Sequence, residues 1–494
     1  MNQAPSAGFA TRWTRARIAD VVEINPRRFD KPPSPDDVVS FVPMKAVEEE
    51  TGRLDATTAR PWAEVRKGYT PFQEGDVLFA KITPCMENGK YALATGLHGG
   101  RAAGSTEFHV LRPGPRIEAK FLLYYLFTPE VRQLAKARMK GTAGQLRVPE
   151  AVLADAVTPL PPIEEQRRVV EEIEQQLTRL QAGVAVLKRV QANLKRFRAA
   201  ALKTACDGRL VPTEAELARR EGRSYEPASI LLSRIKADRA NVAAAHRRGG
   251  QRETVATFPA ALSPLPEGWA WTTVDQIAEV VRGASPRPAG DPRFFGGDIP
   301  WITVGPITAD NDPFLRAVPA TVTPAGRERS RYVEAGTLLL TNSGATLGVP
   351  KITLIGGCMN DGVAALLGLD YPLKLFLLYY LRSLTEPLRG INQGAAQPNL
   401  NTTIIKAIAV PLPPLAEQHR IVAEVERRLS LADELERVVS ANLHRATRLR
   451  QAILAAAFTG RLSERYESSV REALELPHVA EEPRAYADKS PVSS

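Results

Sequence analysis

Cysteine is scarce. Cys85, Cys206 and Cys358 are the only three in 494 residues, far apart and odd in number, which argues against a disulfide framework and against a structural zinc site. The six histidines are scattered and form no HExxH pair, so a metal-free protein is expected. No apolar run approaches the ~20 residues of a membrane span. The longest, Phe121–Phe127 and Leu375–Leu381, suit short buried helices. The opening MNQAPSAGFATRW lacks the apolar core of a signal peptide, so a cytoplasmic, non-membrane protein is expected. Catalytic signatures are missing as well. Gly89-Lys90 lacks the upstream glycine of a phosphate-binding loop, and no GxGxxG follows a strand. Asn25-Pro26-Arg27-Arg28 lacks the second proline and the aromatic of an amino-methyltransferase tetrapeptide and reads as a turn. Pro35-Asp36-Asp37 has no Glu-x-Lys after it to complete a nuclease motif, and Asp20 and Asp76 have no matching base or metal cluster. No catalytic role and no cofactor are expected.

What is present is positive charge and a repeat. The net charge is +10, which raises the prior for a nucleic-acid partner without deciding it. From Gln175 to Cys206 there is no acid, against Arg179, Lys188, Arg189, Lys195, Arg196, Arg198 and Lys203. Such a stripe suits backbone phosphate, a solvated face or a partner-facing one. Residues 466–494 are acidic and read as a disordered tail.

Residues 159–166, PLPPIEEQ, return at 411–418 as PLPPLAEQ, 252 positions later. The register holds through Arg168/Arg420, Val170/Val422, Glu174/Glu426, Leu177/Leu429 and Arg198/Arg450 to Gly208-Arg-Leu210/Gly460-Arg-Leu462. Weaker matches lie upstream. Trp13 with Ile18-Ala19-Asp20 resembles Trp271 with Ile277-Ala278-Glu279, Glu74–Leu78 resembles Ala335–Leu339, and Lys120–Leu126 resembles Lys374–Leu381. The chain is therefore A–B–A′–B′, with A units near 10–157 and 266–409 and B units at 158–210 and 410–465.

The B units read as long helices. Prolines 161 and 162 suit a helix start, and Glu164 and Glu165 suit its first turn. Val170, Ile173, Leu177, Leu180, Val184 and Leu187 then alternate by three and four, a coiled-coil seam. A step to Val190, followed by Leu194, Phe197 and Ala201, predicts a phase shift and a local change of supercoil. The second copy gives Val422, Val425, Leu429, Leu435, Val439 and Leu449. At about 40 residues each helix would be about 60 Å long. Two similar halves packing like a homodimer would take a pseudo-two-fold axis, which makes the helices antiparallel and puts the A domains at opposite ends of a rod.

The A units mix short strand-like runs (Asp76–Ala80, Phe108–Leu111, Trp301–Val304, Leu338–Thr341) with Gly, Pro and Asn turns and one apolar helix. Two loops follow matching strands. One carries Lys81, Thr83, Asn88 and Lys90, the other Asn342, Ser343, Thr346 and Lys351. These residue types bond phosphates and base edges, and Asn and Gly are also ordinary turn formers. A second cluster ends each domain: Lys140, Gln145 and Arg147, against Asn392, Gln393, Gln397 and Asn399. The link 211–265 is basic and looks helical over 229–245. It would extend the central region or dock a partner.

A PLPPxxEQ segment leading into a long helix that ends in Gly-Arg-Leu, present twice behind divergent α/β domains, resembles the specificity subunit of Type I restriction–modification systems. Leu265-Pro-Glu-Gly-Trp269 and Gly75–Pro84 share the resemblance, which runs from residue 12 to about 465. It implies an α+β chain. Residues 1–157 and 266–409 would be target recognition domains, each reading half of a split asymmetric site on double-stranded DNA. The helices would set the gap and dock two adenine-N6 methyltransferase subunits, and restriction/translocase subunits would join. S-adenosylmethionine, ATP and Mg would belong to those partners. A fused methyltransferase and a coiled-coil adaptor that never touches DNA are the competing readings.

Overall fold

The computed structural model describes residues 13–142, 144–245, 264–344, 346–390 and 399–459. Gln393 and Gln397, the second Gly-Arg-Leu step and the acidic tail lie outside them. The chain divides into two compact units, residues 1–189 with 439–494, and residues 190–438. The division falls within both long helices, so a compact unit is not one A–B half. Each holds one head, the first part of that head's own helix and the last part of the other's.

The two heads share one topology. In the first, an antiparallel sheet runs in the order Val22–Ile24, Phe108–Pro113, Val77–Ala80, Tyr91–Leu93. A second sheet runs Ala59–Pro61, Val38–Val42, Arg101–Gly104, Thr70–Gln73, with its two central strands parallel. In the second head the same orders recur as Glu279–Arg282, Val363–Leu367, Leu338–Thr341, Pro350–Thr353 and as Thr321–Val322, Phe295–Ile302, Gly357–Met359, Arg331–Val333. There too the central pair is parallel, and the edge strand Phe314–Leu315 is an addition. The strands read VLFA and LLLT because both faces are buried: every residue of Val77–Ala80 and Leu338–Thr341 is inaccessible. The apolar runs form helices Ala119–Leu126 and Leu373–Ser383 behind these sheets.

One clasp fastens each head to its long helix. Thr14–Arg17 pairs antiparallel with Val157–Leu160, and Ala270–Thr273 pairs in the same register with Ala409–Leu412. The Trp13 indole N–H donates to Glu165 Oε1 at 2.8 Å, and that of Trp269 donates to Glu417 Oε1 at 2.9 Å. Tyr125 donates to the Val157 carbonyl and Tyr380 to the Ala409 carbonyl, both at 2.6 Å. Tyr124 reaches Glu174, and Tyr379 reaches Glu426, both at 3.4 Å. Gln166 and Gln418 turn back to the Pro161 and Pro413 carbonyls at 2.8 and 2.9 Å. This register corrects the sequence match. Trp13 corresponds to Trp269 rather than Trp271, and Ile18 to Val274 rather than Ile277, since Ile18 N–H bonds Ala156 O as Val274 N–H bonds Ile408 O.

The long helices, Ile163–Cys206 and Leu415–Phe458, are antiparallel. In the second unit Arg198 pairs with Asp433 and Glu436, while further along Glu214 meets Arg420. In the first, Val170, Ile173 and Leu177 share a core with Ile453 and Leu454. The buried and half-buried stripe of the first helix is Gln166, Val170, Ile173, Leu177, Leu180, Val184, Leu187, Gln191, Leu194, Arg198, Ala201 and Ala205, alternating by four and three throughout. The expected phase shift is absent. Val190 and Phe197 are 36% and 39% exposed, and the polar Gln191 and Arg198 hold the seam positions. An unbroken period of 3.5 keeps one left-handed supercoil. The second helix follows the same rule through Val422, Val425, Leu429, Ala432, Glu436, Val439, Leu443, Ala446 and Arg450. Leu435, expected in that seam, is 43% exposed, and Leu449 flanks the seam half-buried.

The link between the halves contributes helices Glu214–Glu221 and Ala228–Ala245. A Thr213/Glu216 capping box starts the first, Glu214 N–H donates to Glu417, and Ala228 and Leu231 enter the second unit's core. The described part of the link thus extends the central region by packing into the second unit.

Two outcomes are expected. Trp269→Phe should destabilise the second unit by about 2–4 kcal/mol, since it costs a buried bond to a carboxylate and leaves a void, while Trp13→Phe, whose bond is only part-buried, should cost about 1 kcal/mol. Urea unfolding followed by circular dichroism measures both, and equal losses would deny the difference in burial. By the same assay Ile173→Ala should cost about 2–5 kcal/mol. Leu435→Ala should stay within about 0.5 kcal/mol. A large loss at Leu435 would restore it to the seam.

Candidate nucleic-acid interface

In the first head the strand Val77–Ala80 leaves the sheet at Lys81. Lys81 N–H donates to Glu107 O at 2.9 Å, and Lys81 O accepts from Val148 N–H at 2.8 Å. Ile82 then pairs with Arg147, which also pairs with Lys140. Thr83 N–H donates to Leu146 O at 3.0 Å, and its hydroxyl accepts from Leu146 N–H at 3.1 Å. The two predicted clusters, though some sixty positions apart in sequence, therefore meet: Lys81, Thr83, Lys140, Gln145 and Arg147 share one ledge. Lys140 and Gln145 are exposed upon it.

An acid that sequence reading passed over sits among them. Arg147 donates through Nε and Nη2 to both oxygens of Glu107, at 2.9 and 2.8 Å. That pairing, strengthened by the charge of Lys81, holds the Glu107 carboxyl below its ordinary range. His109 lies beneath. Its Nε2–H donates to Val148 O at 2.8 Å and its Nδ1 accepts from Asn25 at 3.1 Å, so burial keeps the ring neutral and lowers its pKa. No signal in the letters links Glu107 to Arg147, because only strand pairing brings position 107 beside 147.

Two other predicted residues turn away from this ledge. Asn88 donates to Glu49 at 3.0 Å, and the Lys90 ammonium donates to the Met44 and Val47 carbonyls. The second head treats Lys351 likewise. Its ammonium, 1% exposed, is bonded to Asp310 at 2.5 Å. Both brace the segment after a central strand of the parallel pair, but from different places: Lys90 comes just before Tyr91–Leu93, while Lys351 lies within Pro350–Thr353 opposite Leu339.

The ledge recurs in the second head with different side chains. Asn342 N–H donates to Gly362 O at 2.9 Å, Asn342 O accepts from Leu400 N–H at 2.7 Å, and Ser343 pairs with Asn399. Thr346 is exposed, its carbonyl accepting from the Thr341 hydroxyl at 2.8 Å. The Asn342 carboxamide is fully buried, and neither its nitrogen nor its oxygen has a hydrogen-bond partner.

Among the described residues no group of three or more His, Cys, Asp or Glu side chains could hold a metal ion, and no helix is long and apolar enough to cross a membrane.

Comparison with known proteins places these features in a family. The model of the Type I restriction modification DNA specificity domain matches residues 11–188 and again 266–443. The Type I restriction enzyme EcoEI specificity subunit of Escherichia coli is 26% identical over 510 residues, covering 90% of this chain and 82% of its own length. The EcoAI specificity subunit of the same species is 29% identical over 318 residues, covering 55% and 52%. A solved chain from work on complex assembly and conformational transition of the type I R-M system shares the fold, with a TM-score of 0.64 at 23% identity, covering 94% of this chain and all of that one. Two matched domains, each spanning a head and the start of its long helix, make the chain a member of the Type I restriction–modification specificity family, a subunit that recognises DNA sequence.

Proposed function

We propose that the two heads read the two halves of one split, asymmetric site on double-stranded DNA, and that the chain catalyses nothing itself. The long helices hold two adenine-N6 methyltransferase subunits, and restriction/translocase subunits join that core. S-adenosylmethionine, ATP and Mg belong to these partners.

The observation that carries this reading is one clasp and one topology used twice beneath different ledges. A scaffold that served only to hold proteins together would gain nothing from keeping the frame constant while the loop chemistry changes. Two half-sites read by different chemistries require that arrangement. Loops on a rigid frame are where recognition residues sit. Half-sites about one helical turn apart, ~34–36 Å, are the spacing that doubled DNA readers commonly serve.

The test uses the chain assembled with its methyltransferase partner. Replacing residues 14–160 by the matching part of a relative should change one half of the methylated sequence, and replacing 270–412 should change the other. Sequencing of methylated adenines checks this, and a swap that alters both halves would refute independent heads. The chain alone should bind no S-adenosylmethionine by calorimetry, whereas the assembly should.

A further inference from the structure

Resting on that reading, we propose that three matched positions decide whether a half-site requires a G·C pair. They are Lys81, Glu107 and Arg147 in the first head, which demand one, and Asn342, Gly362 and Asn399 in the second, which do not.

The match is geometric. Position 81 donates its N–H to the carbonyl of 107 and accepts from the N–H of 148, and the next residue pairs with 147. Position 342 donates to 362 and accepts from 400, and the next residue pairs with 399. The backbone therefore presents the same three side chains at the same place in each head, whatever they are.

Their chemistry differs as a whole. In the first head two cations flank one carboxylate. Arg147 is the reader: its side chain is 44% exposed, and Glu107 grips only one edge of the guanidinium, leaving further N–H groups to donate. Donor-only groups of this geometry suit the paired acceptors N7 and O6 of guanine. Glu107 is a positioning residue that fixes the plane of the fork, and Lys81 adds positive charge beside it.

In the second head every charge is gone. A glycine replaces the glutamate, and a Cβ there would come within 2.8 Å of Val304 and 2.9 Å of the Ser343 hydroxyl, so an acid would fit only if those side chains moved. Amides replace both cations. Asn342 is closed off from solvent, so this head presents no cationic fork to a guanine at the matching place.

The experiment maps methylated adenines for the full chain assembled with its methyltransferase. Wild type should give a split motif with a required G·C pair in the half read by the first head. Arg147→Gln should relax the G·C position by roughly 10- to 100-fold while the other half stays strict. Glu107→Gln should relax the same position less, with unchanged thermal unfolding and unchanged co-purification with the methyltransferase. Asn399→Ala, in the second head, should leave the G·C position strict. Uniform weakening across sequences with the motif intact would mean that Arg147 holds phosphate, and would overturn the assignment. A split wild-type motif that Arg147→Gln and Glu107→Gln both leave unchanged would overturn it alone. A continuous wild-type motif would overturn the split-site reading together with it.

Discussion

Everything in each unit hangs on where the proline-rich strand hands over to the long helix. That strand can offer few amide donors, because Pro159, Pro161 and Pro162 in one copy and Pro411, Pro413 and Pro414 in the other have none. It is held instead by its neighbours: an antiparallel strand from the head's entry, an indole gripping the first helical turn, and a tyrosine hydroxyl on a strand carbonyl. These bonds fix the rotational phase at which the helix starts, and the phase decides which side chains face the seam. Because both copies start at the same phase, the two seams fall on residues 252 apart along their whole length.

The polar members of that seam set register. Arg198, 18% exposed at its side chain, answers Asp433 and Glu436 from the opposing helix. A charge so placed adds little net stability, but sliding the helices by a turn would leave it uncompensated, which is costly. Its repeat-mate Arg450 solves the same problem differently. It lies over the Phe127 ring and reaches Glu50, which also receives Arg132. The frame is symmetric, and the locks that hold it are not.

These features explain what the sequence could and could not disclose. The repeat, the helices, the strands leading into the two loops and the antiparallel pairing were legible, because each depends on local periodicity or on near-identical segments. The seam was misphased at Val190, Phe197 and Leu435 because scanning for apolar letters overlooks a heptad carried by Gln191, Arg198, Ala432 and Glu436. Trp271 was matched to Trp13 because spacing within a short segment cannot rival strand register. Lys90 and Lys351 looked like ligand-facing residues in loops, yet each is spent on its own head, Lys90 on the Met44 and Val47 carbonyls and Lys351 on Asp310. The Glu107–Arg147 pair had no local trace at all, since it exists only once strands distant in sequence lie side by side.

The same distinction explains how one fold supports different readings. The ledge is built from main-chain bonds alone: an N–H to a carbonyl, a carbonyl to an N–H, and a bridge. Such bonds are indifferent to the side chains they carry, so lysine can become asparagine and glutamate glycine without loss of the pairing. Residues that brace the frame, such as Lys90 and Lys351, have no such freedom, because their heads are consumed in its construction. Variation is therefore cheap where the backbone does the holding and expensive where the side chain does, and a head of this kind can change what it reads while the clasp beneath it stays fixed.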